Sequence, residues 1–305
     1  MTSYLLRRLW QFALVLLGVS AVTFAITNLT GSPAALLLPP DAGRAQVEAL
    51  TQRLGLDQPL HVQYWRFLTN ALRGDFGNSL RQGRPALQVV GERVPATALL
   101  GLTALALSVL VAIPVGTFTA VKRGTAYDTL ATAVVLFGQS LPSFWLGLMI
   151  ILVFGVTLRV LPISGMGSWL HLVGPAITLS FFPAARNIRM LRSSVIETLN
   201  MDFVRTARSK GLAEHVVIRK HVLRNALIPF VTIVGLQIGF VLGGAVIVET
   251  IFAWPGIGRL MVQAVQGRDF PVIQAGVVLI AATFMVVNLL TDLLYAVLNP
   301  RIRLR

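Results

Sequence analysis

The chain has 305 residues, of which 55% are hydrophobic and 12% charged, and it contains no cysteine. A soluble protein carries about 25% charged residues, so composition excludes an ordinary water-soluble domain, and the missing thiols exclude disulfides and thiolate metal sites. A formal net charge of +14 invites a nucleic-acid reading, which the placement of the charges opposes.

Charge-free intervals cover Leu9–Pro40, Val94–Val121, Thr129–Leu158, Asn225–Val248 and Phe270–Thr291, and Val160–Ala185 is charge-free but interrupted by Pro162, Pro175 and Pro183. A bilayer crossing needs roughly 20 predominantly apolar residues, so the pattern predicts an all-α integral membrane protein with six transmembrane helices. Arg7 and Arg8 precede the first span. Its apolar run exceeds a secretory h-region, and no small-residue cleavage site follows, so it reads as a retained anchor.

Residues 30–95 then form an outer segment. Leu60, Tyr64, Phe67, Leu68, Ala71 and Leu72 recur at helical spacing between Pro59 and Gly74, which predicts an amphipathic helix. It is either a lid on the bilayer or a platform for an external partner. Pro85 can open a second helix leading through Leu87, Val90 and Val94 into span two. The core, residues 96–305, holds the remaining spans and a cytoplasmic loop over 200–224. Pro114 and Gly116 in span two, and Gly138, Pro142 and Gly147 in span three, are kink-capable positions. Span four runs into Arg186, Arg189 and Arg192, which are expected at lipid headgroups. In span five Gly235, Gly239 and Gly243 recur every four residues and allow a neighbouring helix, of this chain or of a partner, to approach closely. Asp292 lies at the end of span six and reads as interfacial.

The segment 186–224 carries nine basic residues, whereas the short segments on the other side hold only Arg159, Arg259 and Arg268. This positive-inside asymmetry places both termini in the cytoplasm. It also assigns the charge to a lipid bilayer rather than to nucleic acid.

No catalytic constellation emerges. The histidines at 61, 171, 215 and 221 lack metal-site spacing, the serines in GQSLPS lack a nucleophile elbow, and no phosphate-binding loop occurs. Spans almost free of Asp, Glu and His do not suit a proton-coupled carrier. Energy for moving a solute would therefore arrive from outside the chain, and the basic elbow RTARSKGLAEHVVIRKHVLRNALIP at 205–229 is where it could arrive. Gly211 is placed to end a short helix in the left-handed conformation, and Leu212–His221 opens a second one with Glu214 at its positive end.

This elbow resembles the cytoplasmic loop of bacterial ABC-importer permeases in the dipeptide/oligopeptide/nickel branch. Three further stretches match that branch in order: LGLDQPL with QYWRFL, GDFGNSL…ERVPAT, and ETIFAWPGIG with RDFPV. Arg205, Thr206 and Ala207 replace the general Glu-Ala-Ala, Gly211 is in place, and the closing proline is postponed to Pro229, departures typical of the peptide branch. The resemblance implies the type I importer permease architecture in a bacterial inner membrane. The chain would be one of two related permease subunits, joined to two ATPase subunits that hold ATP and Mg, and fed by an external solute-binding protein. It would itself carry no cofactor, metal or catalytic residue.

Residues 205–214 would be the coupling helix: Ala207, Gly211 and Ala213 permitting close seating, Arg205, Arg208 and Lys210 pairing with acids, and Thr206, Leu212 and Glu214 completing the segment. Gln139, Ser140, Ser143, Gln237 and Asn288 are polar groups at membrane depth that could line the path or bond between helices. The cargo would be a dipeptide or oligopeptide; nickel, glutathione or another peptide-like solute is the alternative. A passive channel, which has no use for the elbow, and an intramembrane enzyme are the rivals.

Overall fold

A computed structural model describes residues 2–29, 43–53, 55 and 57–298; side chains at 2–5, 28–29, 47, 50, 236, 238, 240–244 and 293–298 are outside the described set. The described residues are helical, apart from loops and one isolated β-bridge between Asn78 and Pro85. They fall into two compact units, Met1–Val94 with Leu260–Val286, and Pro95–Arg259 with Val287–Arg303. The predicted positions 30–42 and 299–305 lie outside the described residues.

In the first unit, α1 (Thr2–Leu29) is one uninterrupted helix. Its polar Ser20, Thr23 and Thr27 are buried while Leu6, Trp10, Val22 and Ile26 are exposed. A helix that turns apolar groups outward and hydroxyls inward is built for lipid. The hydroxyls of Ser20, Thr23 and Thr27 bond carbonyls of their own helix, so none is left orphaned in an apolar solvent. A short α2 (Arg44–Arg53) precedes the amphipathic helix, α3 (Leu60–Leu72), which ends at Gly74 with φ +79°. Its aromatic side holds it to α1: Phe24 lies 5.4 Å from Tyr64 and 5.9 Å from Phe67, and the Tyr64 and Ser20 hydroxyls are 2.9 Å apart. Leu60, Trp65 and Leu72 remain exposed. The predicted apolar face is therefore only partly used, because the contact runs through the two aromatic rings.

Pro85 caps α4 (Ala86–Gly91), as expected from its position, and the turn before it is tight. Ser79 N–H donates to Arg84 O, and Ala86 N–H donates to Gly77 O. Asp269 accepts from Ser79 Oγ at 2.5 Å and from Leu80 N–H at 3.1 Å, and Arg81 Nε donates to Gly267 O at 3.3 Å. GNSL and RDFP, far apart in sequence, thus form one clasp.

The second unit contains most of α5 (Val94–Val121), then α6 (Ala126–Ser140), α7 (Ser143–Ile150) continuing in wide π turns over Ile151–Thr157, α8 (Trp169–Leu199), α9 (Asp202–Ser209), α10 (Glu214–Val216) with π turns over Val217–Val222, and α11 (Leu223–Ile251). The α12 helix (Ile257–Gln266) and α13 (Phe270–Leu298) complete the chain. The segments Leu6–Thr27, Ala86–Val121 and Phe270–Asp292 are long and apolar enough to cross a membrane, and α6 with α7 forms a bent fourth candidate.

Two expectations are corrected here. Pro142 does more than kink span three: the chain breaks at Leu141–Pro142 and turns through 102°. Span four does not begin near Val160; α8 starts at Trp169, where Ser168 and His171 form a capping box, and continues through Pro175 and Pro183 to Leu199. The prolines are tolerated because neighbouring helices cover the interrupted turns.

Small residues set the helix contacts. A Cβ at Gly116 would lie 3.0 Å from the Ile188 carbonyl on α8, so a larger residue would push the two helices apart by a few tenths of an ångström. Gly235, the first of the span-five stripe, faces Thr291 of this same chain, whose hydroxyl donates to Gly235 O at 3.3 Å. Gly239 is buried, and the surroundings of Gly243 lie outside the described residues.

Candidate functional site: the basic elbow and the polar groups of the spans

The elbow is built from the core outward. In α9, Val204 and Ala207 are three apart and buried, while Arg205, Thr206, Arg208 and Ser209 face out. The π turns put Val217 and Val222, five apart, on one buried side and leave Arg219 and Lys220 outside. These valines join Leu191, Val195, Ala226 and Phe230 in one apolar cluster. Burying each of them contributes roughly 1.5–3 kcal/mol, so the elbow is seated on the helices behind it.

Between its two halves, Lys210 ends α9 and Gly211 follows with φ +76° and no neighbour within 4 Å of a would-be Cβ. This is the left-handed exit that the sequence called for. Ala213 then caps Glu214.

Two groups behave differently from expectation. Ala207 is 4% exposed and packs into its own chain, so its small size serves the inner contact and not an outer one. Arg208 is already paired: its guanidinium donates to both Glu214 oxygens, at 3.1 and 2.6 Å. That bond across the turn, outweighing the opposite effect of burial, holds the Glu214 carboxyl below its ordinary value. It acts as a strut across Gly211. Arg205, Thr206, Lys210, Gly211, Leu212 and Ala213 remain as the outward surface.

The five polar candidates of the spans do not converge on one place. Gln139 Oε1 accepts from Arg189 at 2.9 Å, and Ser140 bonds the Leu136 carbonyl of its own helix. Ser143 lines an apolar groove of about 260 Å³ beside the break, with Gly138, Phe181 and Ile247. Gln237 is buried and donates to Asn187 Oδ1 at 2.7 Å; Asn187 donates in turn to Ser108 Oγ at 3.2 Å. That relay ties α11, α8 and α5 together, so for Gln237 the interhelical role is realised here. Asn288 is half-buried.

The three arginines of α8 have different surroundings. Arg192 donates to both oxygens of Asp128, at 2.9 and 2.8 Å, and Gly124 N–H adds a third bond at 3.1 Å. Arg189 turns to Gln139, and both it and Arg186 are exposed.

Sequence reasoning missed Asp128, Asn187 and above all Glu249. The Glu249 side chain is fully buried at the end of α11. Thr97 Oγ donates to it at 2.6 Å and Arg259 N–H at 3.1 Å, while Ile257 N–H donates to Thr97 Oγ at 2.8 Å. A carboxylate beside the first turn of α12 satisfies backbone donors that have no helical partner. Trp254, 1% exposed, donates to Ala96 O at 2.9 Å. A Cβ at Gly256 would overlap the Glu249 carboxylate, and one at Gly258 would lie 2.6 Å from the Val246 backbone. The ETIFAWPGIG and PAT stretches are thus two sides of one buried lock. An acid ending an apolar run just before a Gly-rich turn was the signal.

Among the described residues no cluster of His, Asp and Glu suited to a metal ion occurs.

Residues 112–304 match the family described as "Binding-protein-dependent transport system inner membrane component", and residues 1–101 match its N-terminal companion, "Binding-prot-dependent transport system membrane comp, N-term". The chain is 43% identical over 304 residues to the glutathione transport system permease protein GsiC of Salmonella typhimurium strain LT2, with 99% of each chain covered. It is 42% identical to that of Escherichia coli strain K12, at the same coverage. Among solved structures, a chain of the inward-facing MetNI methionine ABC transporter (CY5 native crystal form) is similar with a TM-score of 0.59 and 18% identity, covering 70% of this chain and 97% of that one. An amino acid ABC transporter crystallised with histidines gives 0.51 and 18%, covering 70% and 94%. At this identity the structures speak to fold alone.

Proposed function

The chain belongs to the family of binding-protein-dependent transport system inner membrane components, the permeases of ABC importers, and we propose that it is one of two related permeases forming the path of an ATP-driven importer for peptide-like solutes. The observation that carries this reading is the elbow. Its inner side is fixed to the bundle by Val204, Ala207, Val217 and Val222, and its outer side is an exposed, basic surface with small residues.

In this reading residues 205–214 seat on an ATPase subunit. A rigid elbow rooted among α8 and α11 passes movement of that subunit to the spans. ATP then drives the cycle only if the docked arrangement favours one opening of the path over the other. The bundle crosses the membrane six times, with α8 and α11 adding to the four apolar candidates, and the basic elbow and both termini face the cytoplasm. Selectivity resides chiefly in an external binding protein. Relatives carrying the glutathione name make glutathione the first cargo to try, and a dipeptide the second.

The test is uptake into proteoliposomes by the complete complex with its receptor. ATP-dependent accumulation of glutathione or a dipeptide is expected. Equal uptake without nucleotide would instead identify a passive channel.

A further inference from the structure

Arg189 carries a charge that none of the ion pairs of the described residues neutralises. It lies on α8, and its guanidinium donates to Gln139 Oε1 at 2.9 Å. Among the described residues no carboxylate pairs with it, whereas its neighbour Arg192 is neutralised by Asp128.

Its depth follows from α6. Asp128 bonds the Gly124 amide in the turn joining α5 to α6, so it marks the membrane edge on the basic side. Gln139 lies eleven residues further along the same helix, about 16 Å at 1.5 Å per residue. Arg189 itself precedes Arg192, the partner of Asp128, by three residues on α8, about 4.5 Å, so its guanidinium reaches from the basic edge toward Gln139 within the inner half of a hydrocarbon layer about 30 Å thick. A permanently charged guanidinium at this depth is tolerated where it faces a water-filled cavity or meets a counter-charge.

The surroundings suit an anion with an apolar body. Arg189 and the Asp128-bound Arg192 line a cavity of about 220 Å³ that Thr119, Thr132 and Ser193 also border and whose apolar wall includes Val135 and Leu136.

We propose that Arg189 is a carboxylate-binding residue on the inner half of the path, held in place by Gln139, and that the cargo is a peptide-like solute with a free carboxylate. The site rests on the permease reading above and sharpens it. A fork of guanidinium donors matches a carboxylate in both geometry and charge, and the uncompensated cation waits for the counter-charge that the cargo brings.

The experiment uses the complete importer, with cysteine-free partner subunits, in proteoliposomes, and glutathione as probe. Arg189→Gln is expected to lower uptake about tenfold or more while receptor-stimulated ATP hydrolysis continues. Arg189→Lys should keep most of the uptake, and Arg186→Gln should be neutral. Because this chain has no other cysteine, Arg189→Cys can be alkylated in the assembled complex. Bromoethylamine, which restores a cation, should rescue uptake, and iodoacetamide, which does not, should fail. This second arm decides the matter if Arg189→Gln does not assemble. Wild-type uptake by Arg189→Gln, or equal rescue by both reagents, would overturn the carboxylate site alone. Absence of ATP-dependent uptake by the wild-type complex would instead remove the transport reading.

Discussion

Arg192 holds Asp128 with two parallel hydrogen bonds, at 2.9 and 2.8 Å, so the turn between α5 and α6 is bolted to α8. The carboxylate side chain is 9% exposed and the guanidinium 27%. Removing one partner strands the other in a poorly solvated place. Asp128→Asn and Arg192→Gln should each cost about 1–3 kcal/mol, less than a fully buried pair because Arg192 still reaches water. A double-mutant cycle on the thermal melting of the detergent-solubilised complex checks this: the double variant should lose less than the sum of the two singles.

Gly256 and Glu249 make a second prediction. Gly256→Ala forces a methyl group onto the buried carboxylate and should destabilise by about 1–3 kcal/mol. Gly91→Ala, which meets nothing within 4 Å, should be neutral or slightly stabilising. Comparing the melting temperatures of the two alanine variants separates steric overlap from a general effect of replacing glycine.

The strut between Arg208 and Glu214 gives a pH dependence. The Arg208 guanidinium lowers the Glu214 carboxyl from its ordinary value. The stabilisation is therefore fully present above the unfolded carboxyl value, about 4.3, and fades as pH falls through the lower folded value. Both groups are about half exposed, so the effect stays below about 1 kcal/mol. The stability difference between wild type and Glu214→Gln, measured by melting, should be present at pH 7 and shrink below about pH 4.

At Gly211 the cost lies in the backbone. With φ at +76° and open space around it, Gly211→Ala should cost about 1–2 kcal/mol of local stability without any clash. Gly211→Leu adds bulk on the outward surface and should uncouple transport from ATP hydrolysis with the spans still inserted. Uptake per ATP hydrolysed is the measurement, and a normal ratio in the leucine variant would count against the elbow as a lever.

Much of this was legible from local chemistry. Gly211, Pro59, Gly74 and Pro85 act through backbone preferences that need no tertiary information, and they bound the elements as expected. The inward turn of Ala207 was not legible, because a small residue suits an outer and an inner contact equally. Nor were the partners of Asp128, Asn187, Asp269 and Glu249, since each bonds across a long stretch of sequence that periodicity cannot pair. The same holds for Arg189. Spacing placed it on one face with Arg186 and Arg192, but side-chain direction gave the three arginines different surroundings.

Docking of the elbow on an ATPase is the central claim, and cysteine crosslinking tests it most directly. Ala213→Cys, in a chain that has no other cysteine, should crosslink to a cysteine placed in the docking groove of the ATPase subunit. Ala207→Cys, facing inward, should not. Failure to crosslink from every outward position between 205 and 214, or labelling of this segment from outside the cell, would contradict the account.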